Sequence, residues 1–190
     1  MAVSAIRSGA YRTERLRLVP IGARHAAELW ELHQDEGIAR WHAGRWSMER
    51  ARRFAEAMGR SWRDLGFGKW LAYEGSTGGL LGRGGLSSAV MEGAERVEVG
   101  WALRRGVWGR GYATEIGRAG LDLAFSVPGV DEVVSFTEPH NARSRAVMER
   151  LGMQYARQTR RPGLIAGLSG VQEAAPFALY RITRSAYGAS

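Results

Sequence analysis

The chain has 190 residues, 45% of them hydrophobic, with seven tryptophans, no cysteine and a formal net charge of +8. That length suffices for one well-buried core and leaves little room for a second domain, so a single domain over residues 1–190 is expected. The missing cysteines exclude disulfides and thiolate chemistry. No run reaches the roughly 20 apolar residues that cross a bilayer, and Met1-Ala2-Val3-Ser4-Ala5-Ile6-Arg7 lacks the apolar stretch of a secretory signal. A cytoplasmic protein without a membrane partner is the expectation.

An excess of positive charge raises the question of nucleic acid. Twenty-six of the 27 basic residues are arginine, spread thinly, with local clusters at Arg50-Arg52-Arg53, Arg104-Arg105-Arg110 and Arg157-Arg160-Arg161. A solvated basic surface accounts for most of them, and nucleic acid is not the expected partner. His25, His33, His42 and His140 are scattered, with no Asp or Cys at metal-ligand spacing, so no metal is expected.

Residues 1–11 read as a flexible N-terminus. Arg15 to Val19 alternates as a strand closed by Pro20. Ala23 to Gln34 has helical spacing and meets a break at Gly37. Ser47 is placed to cap a helix whose stripe Ala51, Phe54, Ala55, Met58 and Trp62 belongs to the core. Gly68 to Glu74 and Leu80 to Ser87 predict an antiparallel hairpin around Gly75-Ser76-Thr77-Gly78-Gly79. Arg96 to Leu103 is the next strand, paired back across Met91-Glu92-Gly93-Ala94. A helix follows from Gly111 to Pro128-Gly129, then a strand over Val130 to Thr137. A helix over Ala142 to Leu151, closed by Gly152, precedes a last strand over Phe177 to Thr183. Thr159 to Pro176, rich in glycine and without a period, reads as a loop.

The functional information concentrates in Val97 to Met153. A strand there feeds Trp108-Gly109-Arg110-Gly111-Tyr112-Ala113 and then a helix. Such a turn leaves backbone N–H groups and a helix N-terminus unpaired, an arrangement that attracts phosphate. A Walker loop is excluded, because the only lysine is Lys69, far from the turn. A dinucleotide fingerprint needs a small residue where Thr114 stands, although Glu138 sits after the next strand where a ribose-binding acid would be.

The turn resembles the coenzyme A pyrophosphate loop of the GNAT acetyltransferases, Gln/Arg-x-x-Gly-x-Gly/Ala, with Gly111 and Ala113 at the small positions and Trp108 in place of Gln/Arg. Glu98-Val99-Gly100-Trp101, Tyr112-Ala113-Thr114-Glu115, Asn141-Ala142-Arg143-Ser144 and Leu151-Gly152-Met153 extend the resemblance. With Thr13-Glu14-Arg15-Leu16-Arg17-Leu18 and Leu179-Tyr180-Arg181-Ile182-Thr183-Arg184 it is similar to the RimJ/RimL-like, ribosomal-protein N-acetyltransferase branch. It covers Arg12 to Arg184. The resemblance implies a mixed α/β GNAT fold, a twisted sheet of six or seven strands flanked by helices, and acetyl-CoA as co-substrate.

By the same resemblance, Trp101, Ala102 and Leu103 lie at a bulge where the strand splays and its N–H groups polarise the thioester carbonyl. Trp108, Gly109, Arg110, Gly111, Tyr112, Ala113 and Thr114 hold the pyrophosphate, and Asn141 bonds the pantetheine amides. The acceptor amine must lose a proton and the departing thiolate should gain one. Glu98 shares a strand face with Gly100 and Ala102, which makes it the first candidate base; a strand Glu facing solvent is the competing account. Glu173, before the last strand, is a second candidate. Where the family often has a thiolate-protonating Tyr, this chain has Met148, which leaves Ser144 as the nearby hydroxyl. Trp41, His42 and Trp46 fall where the branch builds its acceptor wall. The implied acceptor is an amine on a protein or peptide N-terminus, with an aminoglycoside or polyamine as the alternative. A non-catalytic acyl-CoA sensor and an RNA-associated factor are the readings from other classes. The expected assembly is a monomer or homodimer.

Overall fold

The computed structural model describes residues 10–91, 93–165 and 170–189. One sheet of eight strands runs in the order β1-β2-β3-β4-β5-β6-β8-β7. The strands are β1 (Tyr11–Arg12), β2 (Leu16–Pro20), β3 (Lys69–Glu74), β4 (Leu80–Met91), β5 (Ala94–Leu103), β6 (Glu132–Thr137), β7 (Gln154–Gly163) and β8 (Gln172–Thr183). The helices are α1 (Ala26–Leu32), α2 (Glu36–Ala39), α3 (Met48–Asp64), α4 (Tyr112–Ser126), α5 (Ala142–Arg150) and α6 (Arg184–Tyr187). Among the described residues no helix is long and apolar enough to cross a membrane.

The β4–β5 hairpin is the spine of the sheet, paired without a slip from Gly82↔Leu103 to Met91↔Ala94. Its alternating residues feed two cores. Leu86 and Val99 face α4, whose Ile116, Ala119 and Leu123 recur at helical spacing and are buried there. Gly120 lets helix and sheet meet, since a Cβ on it would lie 2.8 Å from the Val99 side chain. Leu71 and Ala102 face the other way, against Leu29 and Leu32 of α1 and Ala51 and Ala55 of α3.

Most element boundaries follow from local chemistry. Ser47 caps α3 by accepting from Arg50 N at 3.1 Å. Asn141 caps α5 by accepting from Ser144 N at 3.2 Å. Gly152 adopts φ +79°, and the N–H of Met153 returns to Met148 O at 3.0 Å, the signature of a glycine-ended helix.

Several expectations are corrected. The segment Thr159 to Pro176 is largely strand, with Thr159↔Phe177, Arg160↔Pro176 and Arg161↔Ala175 paired; residues 166–169 of it lie outside the described residues. β7 is an edge strand with both faces largely wet, so hydrogen bonding to β8 defines it and no apolar period does. The expected flexible N-terminus falls outside the described residues over 1–9, whereas Tyr11 pairs with Leu18. These two strands raise the count from six or seven to eight. Gly37 does not break a helix but sits inside α2, whose cap Asp35 accepts from Ile38 N at 3.3 Å. The bulge expected near Trp101, Ala102 and Leu103 is absent, and the register shift lies instead in β3–β4 at Ala72/Tyr73.

Ile116 is fully buried between α4 and β4. Ile116→Ala is expected to cost about 3 kcal/mol, read as a lower urea midpoint with an unchanged denaturant slope.

Candidate active site

The cleft begins where two strands part. β5 and β6 are parallel and pair only at Val97↔Val133 and Glu98↔Val134. Beyond Glu98, β5 has a sheet neighbour on one side alone. Arg104 N donates to Leu81 O at 2.9 Å, and antiparallel alternation from that bond turns the N–H groups of Trp101 and Leu103 away from β4 and into the gap. Trp108 Nε1 donates to Leu103 O at 2.8 Å, which closes the floor.

The gap opens into a cleft of about 630 Å³ whose lining includes Trp101, Ala102, Leu103, Trp108, Gly109, Gly111, Tyr112, Ala113, Thr114, Asn141 and Ser144. The structure thus brings together all but one of the residues expected to hold the co-substrate. The exception is Arg110, whose side chain does not line the cleft but whose carbonyl accepts from Arg15 Nη1 at 2.8 Å.

Gly111 caps α4 with φ +83° and offers no side-chain acceptor. The first helical bond is Glu115 N to Gly111 O, so the N–H groups of Tyr112, Ala113 and Thr114 have no acceptor within the helix. With the dipole of a 15-residue helix behind them, they form an anion site. Arg40, Arg45, Arg105 and Arg143 line an adjoining basin of about 730 Å³ that shares Trp108 with the cleft, a cationic setting suited to further phosphates. Of the expected basic rim, Arg105 faces this basin, whereas Arg104 is paired with Glu31 at 2.7 Å.

A clamp that sequence reasoning did not assign holds the loop. Arg15 bonds Glu115 at 2.6 Å, holds the Arg110 carbonyl, and stacks over Tyr112 at 4.7 Å. Burial raises the Glu115 pKa, but hydrogen bonds from Thr13 and from Arg15 outweigh it and keep this carboxyl below its ordinary range. The anionic side chain in the first turn of α4 is therefore neutralised, and the turn stays attractive to a ligand's charge. Tyr112 OH donates to Glu74 at 2.7 Å and anchors the loop from the other side.

A second cavity, of about 370 Å³, meets the first along Trp41, His42, Trp101, Asn141 and Ser144. Glu98 lines it, as expected from strand alternation. Its Oε2 lies 3.4 Å from Lys69 Nζ and also accepts from Ser87 Oγ. Gly100 makes room for this group, since a Cβ there would lie 2.7 Å from Glu98 Oε1. Burial lowers the Lys69 pKa, and Glu98 opposes that shift.

Glu138, at the end of β6, lines the same cavity and is buried. Its side chain meets Thr137 Oγ1 at 3.4 Å and forms no ion pair among the described residues. Burial pushes its pKa up. Thr137 Oγ1 also accepts from Asn141 Nδ2 at 3.0 Å, which orients the Asn141 amide at the junction of the cavities. Ser144 lines both. His42 Nδ1 is 2.9 Å from Ile38 O, and burial, with Arg83 nearby, pushes its pKa down to about 3. Glu173 is exposed and lines neither cavity, and Met148 is buried in the core. Lys69, Arg83 and Glu138 were not assigned to an acceptor site from the sequence. The only signal was a sole lysine and an arginine set among strand glycines. Among the described residues no cluster of three or more His, Cys, Asp or Glu side chains is arranged to hold a metal ion.

Residues 15–154, which carry the splayed strand pair, the glycine loop and the helix N-terminus, match a family model, the acetyltransferase (GNAT) domain. The chain belongs to the GNAT acetyltransferases. GNAT enzymes use acetyl-CoA, and the loop's unpaired N–H groups, the cationic basin and the two-cavity geometry fit that co-substrate. The chain is 29% identical over 150 residues to the uncharacterized protein YkkB of Bacillus subtilis, covering 78% of this chain and 87% of that one. It is 30% identical over 152 residues to the FsC-acetyl coenzyme A-N(2)-transacetylase of Aspergillus fumigatus, covering 75% of this chain and 64% of the other. The ribosomal-protein-S5-alanine acetyltransferase of Vibrio fischeri superposes with a TM-score of 0.73 at 14% identity, over 92% of this chain and 96% of that one. This GNAT chain therefore shares the fold of a ribosomal-protein N-acetyltransferase.

Because the Arg15–Glu115 pair is partly exposed, Arg15→Ala should change stability by less than about 1 kcal/mol. The same variant should weaken acetyl-CoA binding about fivefold by calorimetry, through loss of the loop's restraint.

Proposed function

We propose that this GNAT enzyme transfers the acetyl group of acetyl-CoA to a primary amine, by direct attack within a ternary complex. The observation that carries this reading is the meeting of the two cavities at Trp101, Asn141 and Ser144, which supports a donor in one and an acceptor in the other. Acetyl-CoA supplies the acyl group as a thioester. The N–H groups of Tyr112, Ala113 and Thr114 hold its pyrophosphate, and Asn141 and Trp108 flank the arm between phosphate and sulfur.

The N–H groups of Trp101 and Leu103 face the gap and stabilise negative charge on the thioester oxygen. The amine forms the C–N bond as the C–S bond breaks, and one amine proton must leave. Glu138 is the carboxylate suited to take it. Its raised pKa makes it a stronger base than a solvated Glu, and no ion pair competes for its lone pairs. Glu98, the first candidate on sequence grounds, is engaged by Lys69 and Ser87, so its part is to hold that buried ammonium. Ser144 Oγ, at the junction, is the hydroxyl placed to return a proton to the thiolate.

The preferred acceptor is an N-terminal α-amine of a protein or peptide, in line with the RimJ/RimL-like resemblance. Its supporting observation is a cavity walled by Trp41, Phe136 and Phe177, which suits the side chain of a terminal residue. An amine on a small molecule is the second reading, favoured by the 30% identity to an acetyl coenzyme A-N(2)-transacetylase.

Thiol release from acetyl-CoA across terminal peptides, polyamines and aminoglycosides tests the reaction. Turnover with one class is expected, and binding of acetyl-CoA without turnover on any of them overturns the enzymatic reading. Glu138→Gln should lower kcat/KM about a hundredfold. Glu138 must be ionised to accept a proton, so the wild-type rate should rise with pH through its raised pKa, and the variant should lose that limb. Glu98→Gln should instead act mainly on stability, costing about 3 kcal/mol by leaving Lys69 without its counter-charge.

A further inference from the structure

Arg83 is a buried cation that forms no ion pair among the described residues, although the charge of Glu98 acts on it from a distance. It lies opposite Ala102 in the β4–β5 ladder, on the sheet face that also carries Glu98 and Lys69, and it is 5% exposed. Its Nε donates to His33 Nε2 at 2.9 Å. The guanidinium stands 4.8 Å from the Phe54 ring centre and 5.3 Å from that of Trp46. Neither ring nor imidazole supplies a negative charge, because burial holds His33 far below its ordinary pKa and leaves it neutral.

No described carboxylate forms an ion pair with Arg83. Glu98, on the same face, directs its Oε2 to Lys69 and Ser87. Arg50, an exposed residue stacked 4.8 Å over Trp46, adds a second cation without an ion pair among the described residues at the same wall. Burial pushes the Arg83 pKa down to about 10, which still leaves it charged at neutral pH. A buried guanidinium without a direct ion pair is costly, and one set in a cavity wall is suited to an anion that arrives with a ligand. The planar fork of Arg matches a carboxylate, two N–H groups to two oxygens.

The cavity that Arg83 lines also carries Glu138 and opens to the transfer cleft at Trp101, Asn141 and Ser144. An acceptor lying across it would present its amine to Glu138 and the gap in β5, and any acid group to the cationic wall. Taking the N-acetyltransferase reading above as its basis, we infer that the acceptor is an acidic amine, whose carboxylate is held by Arg83 with support from Arg50. Two sources offer that chemistry: the α-carboxylate of a free amino acid, or an acidic side chain at the first or second residue of a peptide.

The test uses matched acceptors with the full chain and acetyl-CoA. One arm pairs free amino acids with their carboxamides; the other pairs peptides bearing Asp or Glu at the first two positions with their Asn or Gln counterparts. The acid member of at least one arm should be preferred about tenfold or more in kcat/KM, mainly through KM, and the arm that shows the preference names the source. Arg83→Gln should bring that ratio toward one, and Arg83→Lys should restore part of it, while thermal stabilisation by acetyl-CoA persists in both. Should Arg83→Gln fail to fold, the wild-type ratio and its fall in Arg50→Gln decide the matter. Equal use of acid and amide by the wild type, or a preference that survives Arg83→Gln, overturns the assignment while leaving the acetyltransferase reading intact. Absence of transfer to every acceptor, with acetyl-CoA still bound, overturns both.

Discussion

A parallel strand pair that stops after two residues sets the design of this protein. Hydrogen-bonding groups on a sheet edge inside a protein need partners, and β5 leaves those of Trp101 and Leu103 facing a gap. Everything around the gap is arranged to keep it open yet defined. β4 fixes the strand from one side through an unbroken ladder. Trp108 reaches back to the Leu103 carbonyl, and α5 begins with Asn141 tied to Thr137 at the end of β6. The divergence of two strands thereby leaves a fixed set of donors facing the gap, and donors held in this way can stabilise developing charge without rearrangement.

The loop side and the second cavity differ in how they handle charge. On the loop side the helix carries N–H groups without a helical acceptor, and the acid of its first turn, Glu115, is silenced by Arg15 and Thr13. In the second cavity charge is buried and unevenly matched: Lys69 is ion-paired with Glu98, whereas Arg83 and Glu138 form no ion pair among the described residues. Unmatched buried charge weighs against stability. Its concentration in one cavity is the pattern expected where stability is traded for recognition.

The donor cleft was legible because its chemistry is local. Strand, glycine turn and helix follow one another from Val97 to Ser126, and the Asn141 cap comes within one further strand, so the resemblance to the GNAT loop could be carried onto Gly111, Ala113 and Asn141, which line the cleft. The second cavity was not legible because its charges come from three strands and from the residue that follows a fourth, and only the sheet order of β3, β4, β5 and β6 brings Lys69, Arg83, Glu98 and Glu138 together. Alternation put Glu98 on the face of Gly100 and Ala102, yet its partner Lys69 lies 29 positions away, beyond any local pattern. β7 escaped for a different reason: an edge strand with little to bury writes no hydrophobic period, and only its pairing with β8 reveals it.

The burial of Lys69 has one more consequence. A protein that keeps a reactive thioester at its surface risks modification of its own amines. Here the sole lysine side chain is inside and ion-paired, and the other 26 side-chain cations are arginines, whose guanidinium groups stay protonated and do not act as nucleophiles at neutral pH. The charge that attracts a polyanionic donor is carried by groups the donor does not acylate, so the surface keeps its positive potential however long the thioester resides there.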